Sequence, residues 1–500
     1  MLIASYLSLN AEIETPAMIS LPSATSVSEA EKLQVRSFCG DCHATPEPAL
    51  FPKEAWHAEV VRGYRFYAEA DRHDLDPPSP EIAVRYYISN APAELKMPRL
   101  AQETPLSATS PFAVQPISLL SPLKEPPGSA HLKPGFQTGQ IVMPDMNSGH
   151  IWLSDWNAGN MKVRSLGQLD YPCHVEWADL DGDGSDDLLV ADLGGYFADD
   201  RQAGSISWMR RIGPEELGPP EKLLTGIGRA CDVRVGDFNS DGLADLVAAE
   251  FGWLKTGGIH LLTQQESEGE KLMFERQLLD ERAGAVHLLP FDADEDGTLD
   301  LFALFGQQFE SIDLYRTEGG KLLSRQEQLY EAPDPGFGSS GFNQVDFDGD
   351  GDLDLLYTHG DTFDGPYVKP SHGVHWLENK GGLQYEPHRL LHLAGAYSAQ
   401  AADFDRDGDL DVAVSAWLPS ETRQYDREST VSMLLLERTQ GLEFKEHVLE
   451  VGNPVRASLL WIDIDQDGDL DIAASRESDD PKSPVLLDVW LNGRNASRDD

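Results

Sequence analysis

From about residue 139 onward, short apolar runs alternate with polar turns rich in Asp and Gly. Runs such as Leu188-Leu-Val-Ala191, Leu355-Leu-Tyr357 and Val412-Ala-Val414 are too short for helices and are bounded by turn residues, so they predict buried β-strands. A second kind of run carries an aromatic or long apolar residue: Ile206-Ser-Trp208, Ile259-His-Leu261, Ile312-Asp-Leu-Tyr315, Val374-His-Trp376, Met433–Leu436 and Val489-Trp-Leu491, with Ile151-Trp-Leu153 upstream of them all. A third kind ends most units: Lys222–Thr225, Phe274–Leu279, Tyr385–Leu391 and Phe444–Leu449. The last unit lacks this third run, while a matching one, Phe112–Leu120, precedes the first unit. Evenly spaced short strands, one four-stranded sheet per unit, describe a β-propeller. The displaced segment 112–120 is expected to close the last blade, and an outermost strand tolerates Pro116 because it can spare one ladder donor. An open solenoid, the structural alternative, does not account for the displaced strand.

Six of the units share one acidic loop, D-x-[DN]-x-D-G-x-x-D, at intervals of 54 to 60 residues. Its polar positions are Asp179, Asp181, Asp183 and Asp187; Asp237, Asn239, Asp241 and Asp245; Asp292, Asp294, Asp296 and Asp300; Asp346, Asp348, Asp350 and Asp354; Asp403, Asp405, Asp407 and Asp411; and Asp463, Asp465, Asp467 and Asp471. Carboxylates this close repel one another unless a cation lies between them. Hard oxygen donors at alternate positions suit Ca²⁺, which accepts six to eight oxygens at flexible angles. Gly at position six permits the turn that folds the donors around one centre, and position seven would add a backbone carbonyl. An EF-hand begins alike but requires Glu at position twelve. Here that position holds Val190, Ala248, Ala303, Tyr357, Val414 and Ala474, and an apolar strand follows at once. The ninth-position Asp is therefore expected to close each site. The loop with Asn239 carries one charge less and is expected to bind more weakly. In the first unit, Gly139–Met146 reads as the apolar strand with its acidic loop worn away, giving seven units, six of them with metal.

This loop-strand unit resembles the FG-GAP/VCBS repeat family, whose calcium-loaded propellers are similar to the integrin alpha-subunit head. The resemblance covers residues 112–495 and implies a seven-bladed propeller used for binding, without naming a ligand.

The N-terminal part carries different chemistry. Phe38-Cys39-Gly-Asp-Cys42-His43 is C-x-x-C-H, the c-type haem attachment signature. Two thiols add across the haem vinyl groups and the adjacent His43 imidazole binds iron. Ser28 and Glu31 form a capping box that opens a helix through Ala30, Leu33 and Phe38 and delivers the motif at its end. Ser79-Pro80-Glu81 opens a second helix, Ile82–Ile88, ended by Asn90-Ala-Pro92. Residues 27–100 resemble a small monohaem cytochrome c domain. Met97, in Leu95-Lys-Met-Pro98, resembles the methionine loop of that family, but no helix pattern follows it; His57, His73 or an open sixth position are the alternatives. Residues 1–26 read as a disordered leader, and 101–111, rich in Pro and Ser, as a linker.

Charge narrows the partners. Formal net charge is −46; six Ca²⁺ would return twelve charges and leave about −34 before haem. Such acidity argues against nucleic acid and anionic membrane surfaces, and favours a basic redox partner or a surface polymer or protein ligand. No run is long enough to span a bilayer. Covalent haem and calcium point to a periplasmic or extracellular protein, although Met1–Ala11 is short and lacks the basic residues of a clear signal peptide. Cys173 and Cys231, each six residues before an acidic loop, are read either as a pair or as buried free thiols. No nucleophile elbow, zinc-protease or phosphate-loop motif occurs. Asp192, Asp199 and Asp200, and Asp361 and Asp364 near His359 and His372, follow the apolar strands and could line one face of the disc. Three readings stay open. One is an electron-transfer cytochrome fused to a binding propeller. The second is a calcium-dependent adhesion or scaffold protein. The third is an oxidoreductase with substrate on the propeller.

Overall fold

A computed structural model describes residues 26–41, 43–98, 112, 116–123, 126–157, 159–266, 271–362, 365–422, 426–477 and 484–493. The expected linker 101–111, Cys42, Asp364 and all of the expected leader except Ser26 lie outside the described residues.

Seven four-stranded antiparallel sheets form a ring. Blade 2 illustrates the pattern: first strand Pro172–Ala178, second Asp187–Asp192, third Gly204–Met209, outermost Glu221–Ile227. First strands of successive blades pack on one another around the axis. The second strands are the apolar runs that follow the acidic loops. Asp187–Asp192, Asp245–Glu250, Asp300–Phe305, Asp354–His359 and Asp411–Ala416 are buried at every position, because blades cover both of their faces. Outermost strands such as Tyr385–His392 mix exposed and covered positions, as an edge facing water must.

A strand from before the first blade lies at the outer edge of the last one. Ile117–Leu120 pairs antiparallel with Val485–Trp490, in the register Ile117↔Val489, Ser118↔Asp488 and Leu119↔Leu487, and a single bridge joins Phe112 to Asn492. One strand from the start of the propeller thus completes a blade built from its end. Blade 1 also follows expectation. Its first two strands, Lys133–Pro134 and Gln140–Pro144, are joined by Gly-Phe-Gln-Thr-Gly, which has no carboxylate.

The N-terminal segment folds into three helices: α1 Glu29–Cys39, α2 Trp56–Glu69 and α3 Pro80–Asn90. The capping box at Ser28 and Glu31 forms in both directions. Val35, Trp56, Ala83, Val84, Tyr86 and Tyr87 make the buried centre, where Trp56 stacks on Tyr87 at 3.9 Å. This small core is shared with the propeller. Tyr367 is one of its buried members and its hydroxyl donates to Glu54 at 3.2 Å; Phe66 meets Trp253 edge-on at 5.5 Å; Lys369 Nζ lies 5.2 Å from the centre of the Phe51 ring. These propeller residues lie in loops after second strands. The helices therefore sit on the face of the disc opposite the acidic loops, which join first to second strands.

Candidate metal and haem centres

All six acidic loops share one backbone fold. Position one accepts the amides of positions five and six: Asp179 from Asp183 and Gly184 at 3.0 and 2.9 Å, Asp237 from Asp241 and Gly242 at 3.1 and 2.9 Å, Asp292 from Asp296 and Gly297 at 3.1 and 2.9 Å, Asp403 from Asp407 and Gly408 at 3.1 and 3.2 Å. Asp463 keeps the Gly468 contact, and Asp346 accepts from Gly349 instead. Position five accepts the amide of position seven in every copy, from Ser185, Leu243, Thr298, Asp352, Asp409 and Asp469. The glycine at position six has φ between +86° and +98°, a region closed to residues with a Cβ without strain. Position four is left-handed too, and there Ser240, Glu295, Arg406 and Gln466 bear that conformation without glycine.

The folding of the loop gathers carboxylates. Oxygens of Asp179, Asp181 and Asp183 lie within 4.8 Å of one another, as do those of Asp292, Asp294 and Asp296, those of Asp346, Asp348 and Asp350, and those of Asp403, Asp405 and Asp411. In the last loop Asp463 Oδ1 is buried and meets no donor. A buried anionic oxygen without a partner is costly, and a cation supplies what it lacks. Hard oxygens, their spacing and that orphaned atom fit Ca²⁺.

The ninth Asp does two things. Its side chain is buried in every loop, at 0 to 3 % exposure. In five loops one oxygen takes the amide of position two, at Phe238, Ala293, Phe347, Phe404 and Ile464, at 3.0 to 3.4 Å. The other takes an amide from the end of the third strand, at Arg211, Gln264, Asn379, Arg438 or Asn492, at 2.6 to 2.8 Å. It thus latches the loop to the sheet, and in the fifth loop it also reaches the Asp403 and Asp405 carboxylates. Burial, with neighbouring loop carboxylates adding to it, pushes Asp300 up to about 6 and Asp411 and Asp471 up to about 7.

At the haem signature, Cys39 ends α1 and its half-buried thiol lies beside the Tyr87 hydroxyl; burial pushes the thiol up. Gly40 packs so closely on Thr45 and the Arg36 carbonyl that a Cβ there would clash. His43 Nδ1 lies 2.7 Å from the Ala44 carbonyl oxygen. A carbonyl only accepts, so Nδ1 is the donor here, and Nε2 is the ring nitrogen left to face an iron. A thiol and an imidazole are the donor types a covalently held haem needs, with the second thiol, Cys42, outside the described residues. His57 is the second residue of α2, and His73 is exposed, 3.2 Å from Asp71. Met97 packs against Val368, Ala394 and Leu418 of the propeller and lines a small cleft with His372 and His392.

The other flagged residues are engaged structurally. Asp192 accepts the amides of Asp170, Tyr171 and Gly194, and Asp200 those of Lys255 and Thr256. Asp199 pairs with Arg201, and Asp361 donates its amide to the Gly338 carbonyl at 3.0 Å. His359 meets His375 at 2.8 Å in the core, and His372 accepts the Gly395 amide. Cys173 and Cys231 are free, buried thiols that donate to backbone carbonyls.

An FG-GAP-like repeat family matches residues 279–357, a stretch holding the third and fourth acidic loops. No curated protein matches the chain. Among solved structures it is similar to a Lactobacillus plantarum protein (13% identity, 67% of this chain and 86% of that one, TM-score 0.42) and to Saccharomyces cerevisiae Sqt1 (9%, 75% and 98%, 0.42). It is also similar to BBS1N solved in complex with ARL6DN (13%, 77% and 95%, 0.41). The chain carries an FG-GAP-like repeat on a seven-bladed β-propeller.

Proposed function

We propose that this chain is an exported c-type haem protein that combines electron transfer with a calcium-stabilised binding module. Haem c, held through Cys39 and Cys42 with His43 on the iron, would supply reversible one-electron chemistry. The six acidic loops would hold about six Ca²⁺ on the opposite face. The observation that carries this reading is the docking itself. The helices bearing the attachment motif bury Tyr367 of the propeller within their own core, so whatever binds the propeller meets a fixed redox head. The partner in this reading is a basic redox protein or a surface polymer or protein ligand, drawn by the strongly acidic surface. Covalent haem attachment and calcium loading both favour a periplasmic or extracellular location. No helix among the described residues is long and apolar enough to cross a membrane.

Expression with a haem-ligation system is expected to give a red protein whose intact mass exceeds the polypeptide by one haem. Cys39→Ala with Cys42→Ala should abolish the mass gain while the β-sheet circular dichroism persists. A colourless wild type under those conditions contradicts the reading. The oxidised spectrum of the same sample identifies the sixth ligand, since a methionine ligand leaves a charge-transfer band in that form that Met97→Ala removes.

A further inference from the structure

The six loops differ in what faces them from the third strand. Second and third strands pair as Leu188↔Met209, Leu246↔Leu262, Leu301↔Tyr315, Leu355↔Leu377, Val412↔Leu436 and Ile472↔Trp490. The next residue of the third strand, opposite the ninth Asp, is Arg210, Thr263, Arg316, Glu378, Glu437 or Leu491. Both arginines turn onto their own loop. Arg210 Nε lies 2.6 Å from Asp181 Oδ2, and its Nη2 lies 3.8 Å from Asp183 Oδ2. Arg316 Nη1 donates to Asp294 Oδ2 at 3.1 Å. In both cases the third-position carboxylate, one of the expected ligands, is already paired with a cation of the chain. The equivalent glutamates bind the sheet beyond: Glu378 meets His388 at 2.7 Å and Lys380 at 2.7 Å, and Glu437 meets His447 and Lys445. Thr263 and Leu491 bring no charge; the arginine that does reach loop 463–471, Arg406 of the neighbouring blade, donates to the Gly468 carbonyl and lies 3.4 Å from Asp469 Oδ1, leaving the third-position carboxylate of that loop without a guanidinium contact among the described residues.

We infer that Arg210 and Arg316 are resident counter-ions that make loops 179–187 and 292–300 weak calcium sites, filled after the loops of blades 5, 6 and 7. This rests on the calcium reading above. A carboxylate paired with guanidinium must give up that close ion pair for the metal, or leave a positive charge beside a dication. Both side chains are partly exposed, at 36 % and 21 %, so each can swing into water when the ion enters. The ring then takes up calcium in stages: tight sites hold the fold, and arginine-guarded sites respond to higher concentration. The loop with Asn239 is weak for a different reason, its missing charge, and has no such arginine to remove.

The test is calcium titration by calorimetry of the full-length protein after chelation and dialysis, comparing wild type with the Arg210→Gln, Arg316→Gln double variant. Two ions should move from the weak to the tight class, each gaining about tenfold in affinity. The thermal midpoint of the variant should fall in chelator and not in saturating calcium, so the rise caused by calcium widens. Thr263→Arg should do the reverse and weaken loop 237–245. Equal losses of midpoint in both conditions, with an unchanged isotherm, would show the arginines to be structural only and overturn the inference while the calcium reading stands. A wild type that takes up no calcium overturns both.

Discussion

Chelation of calcium is expected to lower the thermal midpoint of the protein by well over 10 °C. An ion that binds the folded loop and not the unfolded chain stabilises by about 2.7 kcal/mol when its concentration is 100 times the dissociation constant. Six such loops together rival the roughly 5–15 kcal/mol that holds a whole domain folded, and each kcal/mol moves the midpoint by about 2–4 °C in a domain of 150–250 residues. The loops are placed for this effect. Each joins the first strand of a blade to a fully buried second strand, and its ninth Asp is latched into the sheet. Without a cation, the repulsion among the carboxylates acts directly on those strands. Scanning calorimetry in calcium and in chelator measures the effect. Calcium should restore the midpoint, whereas magnesium, which demands strict octahedral geometry and keeps its water, should not. A midpoint indifferent to chelation contradicts the calcium assignment.

The second large effect is expected at the closure of the ring. Arg456 is fully buried between blades 6 and 7, where it binds Glu450 through two nitrogens at 2.6 and 2.9 Å and also binds Asp488. Asp488 is further held by Arg476 at 2.6 Å and by Ser118, a residue of the displaced strand. Arg456→Met removes the cation and leaves buried carboxylates behind, at a cost of about 3–5 kcal/mol by urea unfolding. Adding Glu450→Gln to that variant should recover part of the loss, because Glu450 is the carboxylate left stranded, while Asp488 keeps Arg476. The pH dependence has a definite sign. Burial pushes the Asp488 carboxyl up, but Arg456 and Arg476 outweigh it and hold the group below the usual carboxylate range. Its contribution is therefore present above about pH 4 and lost as pH falls through the lowered value, and Arg456→Met should flatten that acid limb. An Arg456→Met protein as stable as wild type contradicts this account of the closure.

Much of the propeller is legible along the chain because each acidic loop is continuous: donors, turn glycine and following strand fall within a dozen residues. The closing strand is legible for a related reason, since the final unit visibly lacks an outermost run and Ile117–Leu120 pairs there. The first strands are hard to read. Ala396-Tyr-Ser-Ala-Gln-Ala-Ala402 and Pro172-Cys-His-Val-Glu-Trp-Ala178 mix polar and apolar residues, and their covering changes along the strand, from buried at the start to half-buried at the end, with no alternation to read. Helix α2 is also missed. Ala55 caps it without a side-chain hydrogen bond, and Gly63 with β-branched and aromatic neighbours weakens its pattern. That matters for the site, since His57 lies on it. The contact between helices and disc leaves no local trace at all. Tyr367 and Trp253 sit in loops far along the chain, and only the fold brings them to Phe51 and Phe66. The same holds for Arg210 and Arg316, whose meaning depends on strand register rather than on nearby sequence.

The central claim is that acidic loops hold calcium on one face of a closed ring while the other face carries a haem-bearing head. Elemental analysis by plasma mass spectrometry, on full-length protein matured with haem ligation and dialysed against metal-free buffer with calcium restored, tests it most directly. The account predicts about six calcium atoms and one iron atom per chain. A preparation of the folded protein holding neither calcium nor iron would contradict it.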